Sequence, residues 1–210
     1  PARLETDLHV RQYAIAGTVD GLGELEKKIA VRRAEFGGKA AYIMVPGIDV
    51  PFHSTVLRGG VDDFRKRLEA LLPAELDPEI LLGRYVPNLV PRPFSLERDF
   101  IQEIADLVPS EPLDTVLADF DSWAARPHDL CRVVLTELLA WQFASPVRWI
   151  ETQDLLFADE SEGGLGVERF VEIGLSATPT VANLASQTLK LPGRFGSPVE
   201  VLNVEREAAI

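Results

Sequence analysis

The feature that most constrains this chain is a change of hydrophobic period near its start. Val10 to Gly17 (VRQYAIAG) is apolar, β-branched and aromatic and ends in glycine, which predicts a strand. Asp20 stands where a helix N-cap belongs. Leu22, Leu25, Ile29 and Val31 then recur on one side of the run to Phe36, with Glu24, Glu26, Lys27, Lys28, Arg32 and Arg33 elsewhere. That spacing predicts an amphipathic helix stopped by Gly37 and Gly38. Ala40 to Val45 (AAYIMV) predicts a second, buried strand. Strand, helix and strand in this order form a βαβ-like unit, and the order of elements along the chain predicts an α/β core with a small α+β lobe at its N-terminal end.

Pro46 and Gly47 end that unit. Gly47 to Ser54 (GIDVPFHS) reads as a loop stiffened by Pro51, and Val61 to Leu72 as a helix with Asp62 and Asp63 in its first turn, where the helix dipole favours acids. Tyr85 to Val90 is a short extended piece that Pro87, Pro91 and Pro93 exclude from a sheet interior. The middle is helical: Leu96 to Leu107, Leu113 to Ala125 and His128 to Phe143 each show 3.6-residue spacing. Ser145-Pro146 is expected to open a further helix to about Phe157, proline being favoured in a first turn. Asp159 to Gly166 reads as a loop, Arg169 to Gly174 as a strand, Thr178 to Leu189 as a helix with Pro179 in its first turn, and Val199 to Val204 as a last strand. There is no internal repeat.

Composition narrows the function. The chain has 210 residues, 46% hydrophobic and 26% charged, enough to bury a core without metal or disulfide staples. Its net charge of −12 disfavours nucleic-acid backbones and anionic lipid surfaces. Cys131 stands alone, so no intrachain disulfide forms, which suits a reducing cytosol. No apolar run is long enough to span a membrane. The N-terminus, which begins with Pro1 rather than methionine, has no secretory h-region. The expectation is a cytoplasmic piece of something longer.

The chemistry-bearing residues are few. His9 lies close to the terminus, and His128 follows Arg126-Pro127 at a helix start, a capping or surface position. His53 sits in the proline-stiffened loop between Phe52 and Ser54, where a rigid scaffold can aim a catalytic group. The alternative is a histidine satisfied by loop carbonyls. Ser54 is a poor nucleophile for His53, since neighbours on an extended loop point apart. No G-x-S-x-G elbow occurs; Gly174-Leu175-Ser176-Ala177-Thr178 lacks the second glycine. The histidines and the cysteine have no metal-ligand spacing. Gly163-Gly164-Leu165-Gly166 is a loop rather than a dinucleotide fingerprint, and Trp141 and Trp149 are expected in the core.

The string Gly47 to Ser54 resembles the histidine motif of malonyl-CoA:acyl-carrier-protein transacylases. Four further strings follow the same family in order: Tyr13-Ala14-Ile15-Ala16-Gly17, similar to a strand of its ferredoxin-like lobe; Tyr85-Val86-Pro87-Asn88-Leu89, similar to a strand of the large lobe; Gln142 to Trp149, similar to its Q-x-x-x-P-V-x-W segment; and Phe170 to Gly174, similar to its V-E-I-G strand. The wording from Tyr85 to Asp154 looks most like the malonyl/palmitoyl transferase domain of actinobacterial and, more distantly, fungal type I fatty acid synthases.

The resemblance implies the C-terminal part of an α/β-hydrolase-like transacylase core over residues 47–210, preceded by the second half of a ferredoxin-like lobe over residues 1–46. It implies a serine acyl-enzyme, with His53 as base and acid, the backbone carbonyl of Gln142 orienting its ring, Asn88 shaping the pocket and Phe52 favouring malonyl over methylmalonyl. Asn88 also has a plain reading as a turn residue beside proline. The serine, the oxyanion hole and the carboxylate-binding arginine lie upstream in the family and are absent here, so the chain alone is expected to be inactive. Leu175 stands where the family has proline. No cofactor is expected; the substrates carry CoA and the phosphopantetheine of acyl carrier protein. Implied partners are malonyl-CoA or acyl-CoA, the carrier protein and the rest of a large homo-oligomeric synthase, with no nucleic acid and no membrane. The competing readings are a non-catalytic structural piece of a synthase and a polyketide synthase acyltransferase.

Overall fold

The computed structural model describes residues 14–38, 41–44, 49–174, 180–191, 195 and 198–207. These fall into two compact units, one of residues 14–147 and one of the described residues from Arg148 onward. The described chain is mixed α and β, mostly helical with one small sheet.

The first unit opens with α1 (Val19–Phe36). Its N-cap is Thr18, whose hydroxyl accepts from the Gly21 N–H at 3.2 Å, rather than the expected Asp20. A hydroxyl two residues upstream captures the orphan N–H, leaving Asp20 to complement the dipole inside the first turn. None of the residues of α1 is fully buried, and Val31 is exposed. The expected strands on either side of it are not seen in the described residues 14–17 and 41–44, while residues 10–13, 40 and 45 lie outside the described set. A strand exists only through ladder bonds to a neighbour, and no strand pairs with these segments among the described residues.

The core of this unit lies further on, built from α2 (Val61–Leu71), α3 (Arg98–Leu107), α4 (Glu111–Ala118), α5 (Phe120–Ala124) and α6 (Pro127–Gln142). α6 is central and packs on α2, α4 and α5. Its Leu130, Cys131, Val134, Leu138 and Trp141 join Val61, Phe94, Phe100, Ile101, Ile104, Leu113 and Val116 in one buried cluster. Each such large apolar side chain contributes roughly 1.5–3 kcal/mol by leaving water. The helix expected over 113–125 is broken at Asp119, whose backbone (φ −136°, ψ 52°) leaves the helical region. The break re-aims α5, so that Phe120 and Trp123 pack on the cluster. The stretch 85–90 forms no strand; the Tyr85 carbonyl instead accepts from the Phe94 N–H at 2.7 Å.

The second unit begins with α7 (Trp149–Phe157). The expected start at Ser145-Pro146 is corrected: residues 146–148 are not helical, because Arg148 takes φ −82°, ψ 51° as the N-cap. The buried face starts only with Thr152 and Gln153 and ends at Phe157. The loop after α7 folds back onto its last carbonyls, with Leu165, Gly166 and Val167 N–H groups donating to Leu155, Ala158 and Leu156. Gly164 is required there, since a Cβ at that position would lie 2.0 Å from the Ala158 carbonyl oxygen. β1 (Arg169–Glu172) pairs in parallel with β2 (Glu200–Asn203), Arg169 opposite Glu200 and Glu172 opposite Asn203, and the crossover carries α8 (Val181–Leu189). Pro179 lies outside the described residues. Phe157 meets Phe170 and Phe195 edge-on at 5.9 and 5.7 Å, which forms the aromatic centre of this unit.

Candidate functional site

The site grows from two backbone features in the first unit. One is the turn at 50–54. The Phe52 N–H donates to the Val50 carbonyl at 2.8 Å, the Ser54 hydroxyl donates to the Pro51 carbonyl at 2.7 Å, and the Leu57 N–H donates to the Ser54 carbonyl at 3.2 Å. With its hydroxyl so engaged, Ser54 serves the turn. His53 at the apex takes φ 60°, the one non-glycine residue with positive φ among the described residues. Histidine enters this region more readily than most side chains, at a cost of about 1–3 kcal/mol.

The other feature is the C-terminal end of α6. The last carbonyls of a helix have no intrahelical donors. Two of them are taken by His53: its backbone N–H donates to the Phe143 carbonyl at 2.7 Å, and its Nδ1 lies 2.8 Å from the Gln142 carbonyl oxygen. A carbonyl oxygen only accepts, so Nδ1 carries the proton in the neutral ring and Nε2 keeps its lone pair. The ring is exposed, and Nε2 has no hydrogen-bond partner among the described residues.

Asn88 is half-buried beside Gln142. Its Nδ2 lies 3.5 Å from Gln142 Oε1, at the outer limit of a hydrogen bond. Gln142 therefore faces His53 through its backbone and Asn88 through its side chain. Phe52 is 52% exposed, and Val50 and Val56, close to it in sequence, are exposed as well. The structure thus brings His53, Gln142 and Asn88 together and leaves Phe52 open on the same turn.

The other candidates stand apart. His128 is exposed and reaches the Leu76 carbonyl at 3.1 Å, a surface contact. His9 lies outside the described residues. Cys131 is buried in the core, and burial, with a smaller contribution from the Asp77 charge, pushes its thiol up to about 11. Trp141 is buried as expected, while Trp149 is half-buried. Among the described residues no group of histidine, cysteine, aspartate and glutamate is arranged to hold a metal ion, and no helix is long and apolar enough to cross a membrane.

Three features escaped the sequence reading. The first is Phe143, whose carbonyl holds the His53 backbone and whose ring packs edge-on against Phe64 at 5.3 Å. The second is Glu137, 1% exposed on α6. It accepts from Arg65 Nε at 2.5 Å and Nη2 at 3.1 Å, from the Ser110 hydroxyl at 2.7 Å and from Trp141 Nε1 at 3.2 Å. The Glu137 hydrogen bond holds the Arg65 guanidinium above its usual pKa against the opposing effect of burial, with help from Asp62. A single acid in the apolar run Val133 to Trp141 was the available signal. The third is Glu172 in the second unit. Its carboxylate accepts from the Thr180, Val181 and Ala182 N–H groups at the start of α8 and from Asn203 Nδ2 at 3.1 Å. Burial pushes this carboxyl up, but those donors outweigh it and hold it below the usual carboxylate range.

No family model matches the chain. Individual proteins do. Fatty acid synthase 2 of Mycosarcoma maydis is 47% identical over 150 residues, 71% of this chain. Two subunits from Saccharomyces cerevisiae also match: fatty acid synthase subunit alpha at 49% over 80 residues (38% of the chain) and subunit beta at 33% over 105 residues (49% of the chain). The chain spans only 4% of the Mycosarcoma maydis protein and of the alpha subunit, and 5% of the beta subunit. An identity of 47% over most of the chain is far above what chance or a shared architecture produces, so the chain is a homologue of a short section of the fungal-type type I fatty acid synthases.

Proposed function

We propose that this section is the C-terminal part of the acyltransferase of a type I fatty acid synthase, moving malonyl groups between CoA and acyl carrier protein. Residues 1–46 belong to its small lobe and 47–210 to its core, and the assembly works in the cytoplasm. The observation that carries the reading is the His53 ring, held through Nδ1 on the Gln142 carbonyl at 2.8 Å, with Nε2 unpartnered among the described residues. A general base needs this arrangement: one nitrogen bound to a fixed acceptor, the other presenting a lone pair to a hydroxyl.

The hydroxyl comes from a serine outside this sequence. Nε2 takes its proton, the serine oxygen attacks the thioester carbonyl, and the C–S bond breaks. The departing CoA thiolate takes the proton back from Nε2. The phosphopantetheine thiol of the carrier protein then reverses the sequence, losing its proton to Nε2 and receiving the acyl group as the serine is regenerated. No cofactor takes part. Asn88 supports the Gln142 side chain, and the Phe52 side chain meets the acyl group. The isolated chain forms no acyl-enzyme.

The test supplies the missing N-terminal half in trans and measures malonyl transfer from CoA to carrier protein. His53→Ala is expected to lower the rate about 10²–10⁴-fold. Equal transfer by both versions overturns the assignment.

A further inference from the structure

Glu137 is buried where an acid is costly, and its partners are not spread at random. Arg65 comes from α2, Ser110 is the N-cap of α4, and Trp141 is on the last turn of α6, one residue before Gln142. Arg65 meets the carboxylate with two of its guanidinium nitrogens, a geometry that fixes orientation as well as distance. The Arg65 side chain is itself 14% exposed, and its remaining fork reaches Asp62. A buried ion pair of this kind adds little net stability over apolar packing of the same volume, but its bidentate geometry favours one orientation of the elements it joins.

The elements joined here are those that carry the histidine anchors. α2 supplies Phe64, whose ring braces Phe143, and α6 ends at the two carbonyls that hold His53. A small rotation of the last turn of α6 would carry the Gln142 and Phe143 oxygens away from the 50–54 turn. We infer that Glu137, held by Arg65 and Ser110, is a positioning residue for His53: it sets the rotation of the α6 end and thereby the Nδ1–H tautomer of the ring. This rests on His53 being the base only for its consequence in catalysis; the positioning itself is a property of the fold.

The experiment labels the histidines of the chain with ¹⁵N and reads the ring nitrogens by NMR at about pH 8, where ordinary imidazoles are neutral. His53→Gln assigns the signal. The wild-type ring is expected to show protonated Nδ1 and bare Nε2. Glu137→Gln, its fold checked by amide dispersion, is expected to move that ring toward the mixture of tautomers seen for a free imidazole, with His128 unchanged. Retention of the Nδ1–H form in the folded variant overturns the inference. Should Glu137→Gln fail to fold, Ser110→Ala, which removes one donor and leaves the ion pair, is judged by the same signal. Transfer by the intact synthase carrying Glu137→Gln separates the two claims. A changed tautomer with undiminished transfer leaves the positioning intact and removes His53 as the base.

Discussion

His53 Nδ1 and the carbonyl oxygen of Gln142 lie 2.8 Å apart across 89 residues of sequence. The oxygen belongs to the peptide backbone, at a helix end where no other donor reaches it among the described residues. Side-chain replacement at 142 leaves that acceptor in place and removes the 3.5 Å hydrogen bond with Asn88. A contact at that limit is worth no more than about 1 kcal/mol. Gln142→Ala is therefore expected to cost the transfer reaction less than about tenfold in kcat/KM, well short of the loss for His53→Ala. Parallel kinetics of the two variants check this, and equal losses would place the function of residue 142 in its side chain.

Phe52 precedes the histidine and is half open to solvent on the rim of the turn. Phe52→Ser makes no cavity in the core, so the thermal midpoint of the chain should barely move, within the roughly 0.5 kcal/mol typical of surface changes. The room it creates beside His53 should raise methylmalonyl use relative to malonyl. Competition between the two CoA thioesters measures the ratio, and an unchanged ratio removes Phe52 from selectivity.

Glu172 ties β1, α8 and β2 together through four donated hydrogen bonds. Its folded-state pKa is depressed, so the unfolded chain binds the proton more readily than the folded one. The stability it contributes is complete above the ordinary carboxylate range and is lost as pH falls through the lower folded value. Amide exchange of residues 181–189 followed between about pH 6 and 3 should show their protection falling at the acid end. Glu172→Gln should remove part of that acid dependence and cost about 1 kcal/mol at neutral pH, the usual scale for a lost helix cap.

Cys131 is fully buried in the cluster around α6, and its thiol is pushed up to about 11. Only the thiolate reacts with alkylating reagents. Native chain at pH 8 should therefore resist iodoacetamide and react only as it unfolds. Since the folded pKa is raised, the stability tied to the neutral thiol is full below the ordinary thiol value and declines as pH rises toward 11. Mass spectrometry of native and urea-unfolded samples reads the difference; rapid native labelling would contradict the burial of this side chain.

The local sequence was enough to find most helices and both strands of the small sheet, because 3.6-residue apolar spacing and short β-branched runs act over neighbours in the chain. α2, α3 and α6 fall within a few residues of their predicted bounds, and Pro127 opens α6 where its fixed φ suits a first turn. The same logic misplaced the start of α7, where the Arg148 backbone and not Pro146 decides, and it ran through the break at Asp119. It also assigned strands around α1 by composition alone, and the described residues 14–17 and 41–44 form none, since a strand needs a partner ladder that propensity cannot supply. The loop expected over residues 47 to 54 is a turn in its described part, 49–54; the Glu137 network was not legible, since Arg65, Ser110 and Glu137 are separated by up to 72 residues.

What the sequence determined by itself is the identity of the groups: one imidazole in a proline-stiffened turn, a helix expected to end at Phe143, and a family likeness carried by five short strings. What only the tertiary structure decided is their relation. Packing of α2 against α6 brings the turn under the helix end, and there a left-handed backbone at His53 lets two orphan carbonyls capture its N–H groups. The reason is physical. Helix and strand preferences are summed over adjacent residues, whereas a hydrogen bond between positions 53 and 142 exists only once the intervening core has closed and brought the two together.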